Sequence, residues 1–221
     1  MQLTDRQEQI MSLVQSRISL RADVHSLDKI IFGSVADLVN PPVSREKDTL
    51  IIACSELAAG PDCISFGKRE RFLVLQHLAG SIPSENECEK HDGLSCDSVQ
   101  QLFDKYEFRH VIVCGYLGCG AVVRWLQPES KKDPDTGGFR RRFETGTRRL
   151  VDASYSPDSC SKRFELMIFE HVLCQIENLL THSFVSERIR AKTTSIYGWV
   201  VDDESSRVYG YSHDQSAYLP I

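Results

Sequence analysis

Residues 111–123 read VIVCGYLGCGAVV. The β-branched run at the start predicts a buried strand, the glycines predict a tight turn, and the apolar end predicts the first turn of a helix. This order places Tyr116 and Cys119 at the carboxyl end of a strand, where open α/β sheets bind their ligands. We therefore expect the functional site beside this turn.

A second predicted strand ends in a similar way. Residues 50–54 read LIIAC, and Glu56 follows two positions after Cys54. Two strand ends that present Cys54 and Cys119 outline a metal site, because cysteine thiolates are good zinc ligands. Such a site usually needs a third protein ligand, and the position best placed to supply it is occupied by Tyr116.

The composition excludes several classes of protein. The chain has 221 residues, a hydrophobic fraction of 41% and a formal net charge of −5, which is typical of one globular domain and gives no sign of nucleic-acid binding. No apolar run reaches the roughly 20 residues that span a bilayer, and the N-terminus lacks the apolar core of a signal peptide. We expect a cytoplasmic protein whose eight cysteines are mostly reduced thiols or metal ligands.

The remaining patterns predict an alternation of strands and helices, which indicates a parallel sheet. The predicted strands cover residues 49–54, 71–76, 110–114, 194–201 and 207–211, and the predicted helices cover residues 4–19, 94–105, 119–127 and 164–181. The last two strands are expected to form a closing hairpin, and residues 84–92 are expected to form a solvated loop leading to a helix.

Five arginines lie within residues 139–149. A solvated helix face paired with Glu144 and Asp152 is favoured over an anion or partner site, because charged runs of this kind are usually exposed to water.

Several segments together resemble the β-class carbonic anhydrases. They are AGSIP at residues 79–83, CGYLGCGAV at 114–122, TRRLV at 147–151, EHVLCQIENLLTH at 170–182 and YGWV at 197–200. The similarity runs from about residue 48 to residue 211 in one consistent order. The chain is therefore identified from its sequence as a divergent member of that family.

The resemblance implies an α/β fold with a mostly parallel central sheet, an antiparallel edge hairpin and flanking helices. It implies an N-terminal helical arm over residues 1–47 that embraces a partner subunit, and an α/β domain over residues 48–221. It also implies a homodimer or a larger homo-oligomer. In the family, a zinc ion held by Cys, His and Cys lowers the pKa of bound water toward 7, and the hydroxide attacks CO2.

This chain departs from the family motifs Cys-x-Asp-x-Arg and His-x-x-Cys at three positions. Cys54 and Cys119 occupy the positions of the family's two cysteine ligands. Tyr116 replaces the histidine ligand, Glu56 replaces the aspartate, and Ala58 replaces the arginine. A neutral phenol is a poor zinc ligand, and its pKa near 10 makes the phenolate costly at neutral pH. Without the arginine, Glu56 could swing inward and bind the metal itself.

Three hypotheses follow. The favoured one is a homologue that has lost zinc binding and CO2 hydration, with Cys54 and Cys119 as remnant ligands of low occupancy and Glu56 and Ala58 as vestigial catalytic positions. It would act as a structural, assembly or regulatory partner, as a homo-oligomer or mixed with an active homologue or an assembly partner. It would have no resident cofactor, no nucleic-acid partner and no membrane span. Its expected location is the cytoplasm, with a microcompartment such as a carboxysome as one option there.

The alternative is a zinc-dependent carbonic anhydrase with a rebuilt Cys54, Cys119 and Glu56 site, in which three anionic ligands leave bound water less acidic. A third idea is a thiol site in which Cys54 and Cys119 form a reversible disulfide, although two buried inert thiols are favoured over it. His77 is close enough in sequence order to enter the cleft but is expected to be hydrogen-bonded there. Tyr197 and Trp199 are expected to be core or interface aromatics.

Overall fold

The structure is a computed structural model, and it describes residues 47–57, 71–88, 94–127, 138–154, 160–202 and 204–221. Within these ranges six strands form one sheet: β1 Thr49–Cys54, β2 Phe72–His77, β3 His110–Tyr116, β4 Ser195–Asp202, β5 Arg207–Ser212 and β6 Ala217–Pro220. Their order across the sheet is β2-β1-β3-β4-β5-β6.

The described helices lie between β2 and β3 and between β3 and β4 in the chain. They are α1 Glu85–Cys88, α2 Leu94–Lys105, α3 Gly120–Leu126, α4 Phe139–Phe143, α5 Arg149–Ser154, α6 Cys160–Thr181 and α7 Ser183–Arg190. A short 3-10 turn over Leu78–Gly80 follows β2, and a π-helical turn over Glu144–Arg148 joins α4 to α5.

The central strands are parallel, and the last two are antiparallel. β1 pairs in parallel with β2 and β3, and β3 pairs in parallel with β4, whereas β5 and β6 add antiparallel strands at one edge. Every residue of β1 is buried, as expected for a parallel strand that is covered on both faces. This α/β sheet, mostly parallel with an antiparallel edge, confirms the predicted fold class.

Helix α6 lies close against the middle of the sheet because two strand residues are glycines. A Cβ atom at Gly115 of β3 would come within 2.6 Å of Val172 Cγ2 and 3.1 Å of Ile168 Cγ2. A Cβ atom at Gly198 of β4 would come within 3.0 Å of Ile176 Cδ1. The absent side chains therefore let the helix backbone approach β3 just before the turn that carries the site.

The register brings the ends of three strands to one edge of the sheet. Cys54 is paired with His77, and Ala53 is paired with Cys114. The turns after β1 and β3 therefore start side by side, which places the two predicted site segments together.

Some boundaries and elements differ from those that the sequence predicts. β3 continues to Tyr116, α6 begins at Cys160, and the segment expected to be a loop contains the short helix α1. Helix α7 and strand β6 were not predicted, so the hairpin of β4 and β5 is followed by one more edge strand. The predicted helix over residues 4–19 lies outside the described residues, as does the predicted arm apart from Lys47.

Two predictions about side chains are corrected in part. Arg142 is buried, and its Nε donates a hydrogen bond to Ser81 Oγ at 3.2 Å, so this arginine does not belong to a solvated face. Arg148 does lie 3.7 Å from Asp152, as expected. Cys88 is in a disulfide, whereas Cys54, Cys114, Cys119 and Cys174 are free thiols. Among the helices of the described ranges, none combines the length and apolarity that a bilayer crossing needs.

Candidate metal centre

Two cysteines meet where β1 and β3 end. Cys54 is the last residue of β1, and Cys119 is the residue that precedes α3 as its N-cap. Both side chains are buried, and their sulfur atoms lie 3.5 Å apart. The sequence prediction that these two cysteines come together is therefore matched by the structure.

Glu56 joins this pair from the turn after β1. Its side chain is exposed, and its Oε2 accepts a hydrogen bond from the Ala121 backbone N–H, at the start of α3, with a length of 3.0 Å. A Cβ atom at Gly120 would lie 2.9 Å from the same oxygen, so the glycine leaves room for the carboxylate. One ligand atom from each of Cys54, Glu56 and Cys119 lies within 4.8 Å of the others.

Tyr116 ends β3 and is half-buried. Its ring lies over Gly118, where a Cβ atom would overlap the tyrosine hydroxyl. The glycine therefore allows a conformation in which the phenol covers the turn between β3 and Cys119. Ala58, the third position of departure, lies outside the described residues.

The two thiols share a hydrogen bond that separates their pKa values. The hydrogen bond from Cys119, together with those from the backbone N–H groups of Glu56 and Ala79, lowers the pKa of Cys54 below its usual value. Cys119 donates the hydrogen bond to Cys54 and is buried, and both effects raise the pKa of Cys119. Cys54 is consequently the preferred thiolate and Cys119 the preferred thiol.

The loop behind Cys54 is held by polar side chains of α6. His171 Nε2 bonds Ala79 O at 3.1 Å, Gln175 Oε1 accepts from the Ile82 N–H at 2.7 Å, and Asn178 Nδ2 donates to Ile82 O at 2.9 Å. Because Ala79 also bonds Cys54 through its backbone, the helix fixes one of the groups that stabilise the thiolate.

His171 is a buried polar residue behind the site that the sequence analysis did not single out. Its Nδ1 lies 2.8 Å from the Thr147 hydroxyl, and burial, followed by the nearby Arg142 charge, lowers its pKa to about 4. Polar residues at positions 171, 175 and 178 on a mainly apolar helix are the signal that could have revealed this contact.

The other candidate residues have structural surroundings. His77 Nδ1 lies 3.2 Å from Ser81 O, in keeping with the expected hydrogen bond. Tyr197 and Trp199 are buried aromatics of β4, and the Tyr197 hydroxyl lies 3.0 Å from His110 Nδ1.

The carbonic anhydrase family model matches residues 49–208. The match to the solved structure of the β-carbonic anhydrase CcaA covers 81% of this chain and 85% of that chain. Its TM-score is 0.71, and the two sequences are 24% identical. This chain belongs to the β-class carbonic anhydrase family.

Curated members of the family match at low identity. A carbonic anhydrase from Synechococcus elongatus is 29% identical over 76% of this chain, and one from Helicobacter pylori (strain J99) is 24% identical over 80% of it. The match covers 61% of the Synechococcus protein and 81% of the Helicobacter protein. This chain therefore spans about three fifths of the length of its Synechococcus relative.

Solved carbonic anhydrases also include the tetrameric β-carbonic anhydrases from Sordaria macrospora. One of these chains is 16% identical to this chain, with a TM-score of 0.59, and the match covers 90% of this chain and 95% of that one. At such identities the likeness concerns the fold.

Cys54, Glu56 and Cys119 are ligand types that zinc accepts, and their ligand atoms are near one another. All three are anionic when they bind a metal, whereas the family's set contains a neutral imidazole. This donor set is therefore less suited to the acidification of zinc-bound water than the family's set, because it adds a third negative charge in place of a neutral ligand.

Proposed function

We propose that this chain is a β-class carbonic anhydrase homologue that has lost CO2 hydration and zinc binding. The observation that carries the proposal is Tyr116, which stands where the resemblance places the family's histidine ligand and packs over Gly118. The scaffold would then serve as a structural, assembly or regulatory subunit.

The chemistry of tyrosine supports the loss of the metal. A phenol has a pKa near 10, so forming the phenolate at pH 7 costs about 4 kcal/mol before any gain from a metal. A neutral phenol offers zinc only a weak oxygen donor. Tyr116 therefore does not replace the imidazole, which binds zinc in its neutral form.

The environment of Glu56 supports the loss of catalysis. In the family an arginine holds the equivalent aspartate, whereas this chain has Ala58 at that position. Glu56 Oε2 instead accepts the Ala121 N–H at 3.0 Å. The carboxylate is thus held by a backbone group at the start of α3, and no guanidinium from position 58 can direct it away from a metal.

The decisive measurement is the zinc content of the purified chain together with its CO2 hydration rate. We expect well under one zinc per chain by elemental analysis and no stopped-flow rate above buffer. Zinc at one equivalent per chain would contradict the proposed loss of the metal, and a hydration rate above buffer would contradict the proposed loss of activity.

Restoring the family's residues tests which positions caused the loss. The triple variant Tyr116→His, Glu56→Asp and Ala58→Arg should raise the zinc content toward one per chain, because it returns the neutral nitrogen ligand and the charge pair. Tyr116→Phe is the matched control, since it removes the hydroxyl without adding a ligand, and it should remain zinc-poor. A zinc-poor triple variant would show that the pocket has diverged beyond these three positions.

The second candidate is a zinc-dependent carbonic anhydrase with a rebuilt site. It is favoured by the proximity of Cys54, Glu56 and Cys119, whose ligand atoms lie within 4.8 Å of one another. Bound zinc would supply a Lewis acid that acidifies water, but two thiolates and a carboxylate leave the complex with a net negative charge and the water less acidic. If this candidate is right, Glu56→Gln should reduce the zinc content of the purified chain, whereas Glu56→Asp should retain more of it.

The proposal extends to the assembly of the protein. Homo-oligomers are expected from the resemblance, and the Sordaria relatives are tetrameric. A mixed oligomer with an active homologue would give the inactive scaffold a regulatory role. The cytoplasmic location stays a prediction from the sequence.

A further inference from the structure

Without a metal, the sulfur atoms of Cys54 and Cys119 are a closely spaced pair of thiols. They lie 3.5 Å apart, and neither cysteine is in a disulfide. A disulfide bond is about 2.05 Å long, so the sulfurs must approach by roughly 1.5 Å to form one. Both lie at junctions, one at the end of β1 and one just before α3, where side-chain rotation could supply that movement.

We propose that Cys54 and Cys119 form a reversible disulfide when the chain meets a peroxide. This inference rests on the proposed function, because a bound zinc ion would hold both sulfurs as ligands. The remnant metal site would then undergo reversible thiol oxidation instead of catalysing CO2 hydration.

The hydrogen bonds around the pair give the two sulfurs different roles. Cys54 Sγ accepts a hydrogen bond from the Glu56 backbone N–H at 3.4 Å. Donors of this kind stabilise a thiolate, which is the form that attacks an oxidant. Cys54 is therefore the attacking sulfur, and Cys119 is the resolving sulfur.

The reaction balances with one peroxide molecule. The Cys54 thiolate attacks one peroxide oxygen, the O–O bond breaks, and hydroxide leaves and takes up a proton, which gives Cys54 sulfenic acid and water. The Cys119 sulfur then attacks the Cys54 sulfur, and hydroxide leaves and takes up the Cys119 proton to form a second water. Two thiols are oxidised by two electrons in total, and the peroxide is reduced to two waters.

Cys114 provides a matched comparison within the same strand end. It is buried and outside any disulfide, like the proposed pair, but its sulfur is directed as a donor toward Gly115 O at 3.6 Å. Cys114 is therefore a buried thiol of the same strand end that lies outside the proposed pair.

The surroundings of the pair admit a small oxidant. Both sulfurs are buried, but the residues that flank them in the two turns are exposed, namely Ser55, Glu56, Gly118 and Gly120. The pair therefore lies beneath two exposed turns, and the proposed reaction requires these turns to move enough for peroxide to reach Cys54.

The experiment uses the full-length chain, with its zinc content measured first. The protein is reduced with dithiothreitol, desalted, treated with hydrogen peroxide, blocked with N-ethylmaleimide and digested for mass spectrometry. We expect a peptide pair linked through Cys54 and Cys119, lighter than the two reduced peptides by two hydrogens, that dithiothreitol separates. Cys54→Ser and Cys119→Ser should lose the linkage completely, and Cys114→Ser should retain its yield within about twofold.

A second readout is thermal stability. Oxidation should raise the Tm of the unaltered chain, because the bond links segments 65 residues apart, and dithiothreitol should reverse the rise. The rise should be smaller in Cys119→Ser, where the disulfide of Cys88 can still reform but the Cys54–Cys119 bond cannot. A zinc-poor chain whose two thiols stay reduced, or oxidise to sulfinic acid without joining, would overturn the disulfide inference. Stoichiometric zinc would instead overturn the proposed function, so the two failures are distinguishable.

Discussion

His171 is a single residue whose protonation opposes folding. Its pKa in the folded chain is lowered to about 4, whereas an unperturbed histidine has a pKa near 6.5. The unfolded chain therefore binds more protons between these values, and the free energy of unfolding falls as the pH is lowered from about 6.5 to about 4. The contribution of this residue to the fall is about 3 kcal/mol.

Denaturant unfolding at a series of pH values checks this prediction. His171→Asn should remove a large part of the fall between pH 6.5 and pH 4, because asparagine does not titrate. An unchanged pH dependence in the variant would show that other groups cause the acid sensitivity.

The residues of the site show what the sequence could predict and what it could not. The meeting of Cys54 and Cys119 was predictable, because both follow apolar runs that end at the same edge of a parallel sheet. The bond from Ala121 to Glu56 was not, because it depends on how α3 leaves its turn relative to β1. Arg142 was expected in water because five arginines lie close together in its segment, but Ser81 accepts its Nε bond inside the fold.

At the scale of elements, the contact between α6 and β3 depends on Gly115. The substitution Gly115→Ala would place a Cβ atom 2.6 Å from Val172 Cγ2 and 3.1 Å from Ile168 Cγ2. We expect the free energy of unfolding to decrease by roughly 1–3 kcal/mol, which is typical of an overpacked core. Urea unfolding monitored by circular dichroism measures the change.

Gly146→Ala is the control for that substitution. Gly146 lies in the π-helical turn, where a Cβ atom would meet nothing within 4 Å. Its replacement should leave stability unchanged or raise it by up to about 1 kcal/mol, because alanine favours helix more than glycine does. If both variants lost the same stability, the close approach of α6 would not be the cause.

The elements that were not predicted from the sequence are short and have weak hydrophobic patterns. Helix α7 has eight residues, and only Val185 and Ile189 of its side chains are buried, so its apolar period is too short to stand out. Strand β6 has four residues and ends in Pro220 at the sheet edge. In contrast, β1 and α6 were predictable because their apolar residues form long, regular patterns.

At the scale of the whole molecule, we expect the full-length chain to form a dimer or a larger oligomer. The physical reason is the predicted exchange of the N-terminal arm, which the family resemblance implies and which would bury an apolar helix face against a second subunit. Sedimentation velocity over a range of protein concentrations measures this association. A stable monomer throughout that range would contradict the exchanged arm.

The bonds between α6 and the loop that begins at Ala79 have a consequence for how the molecule opens. Ile82 is bonded to the helix through both its N–H and its carbonyl, although it lies outside any helix or strand. The amide hydrogen of Ile82 can exchange with solvent only when its hydrogen bond to Gln175 breaks. This irregular segment therefore belongs to the same cooperative unfolding unit as the long helix. We therefore expect the amide hydrogen of Ile82 to exchange about as slowly as those in the middle of that helix.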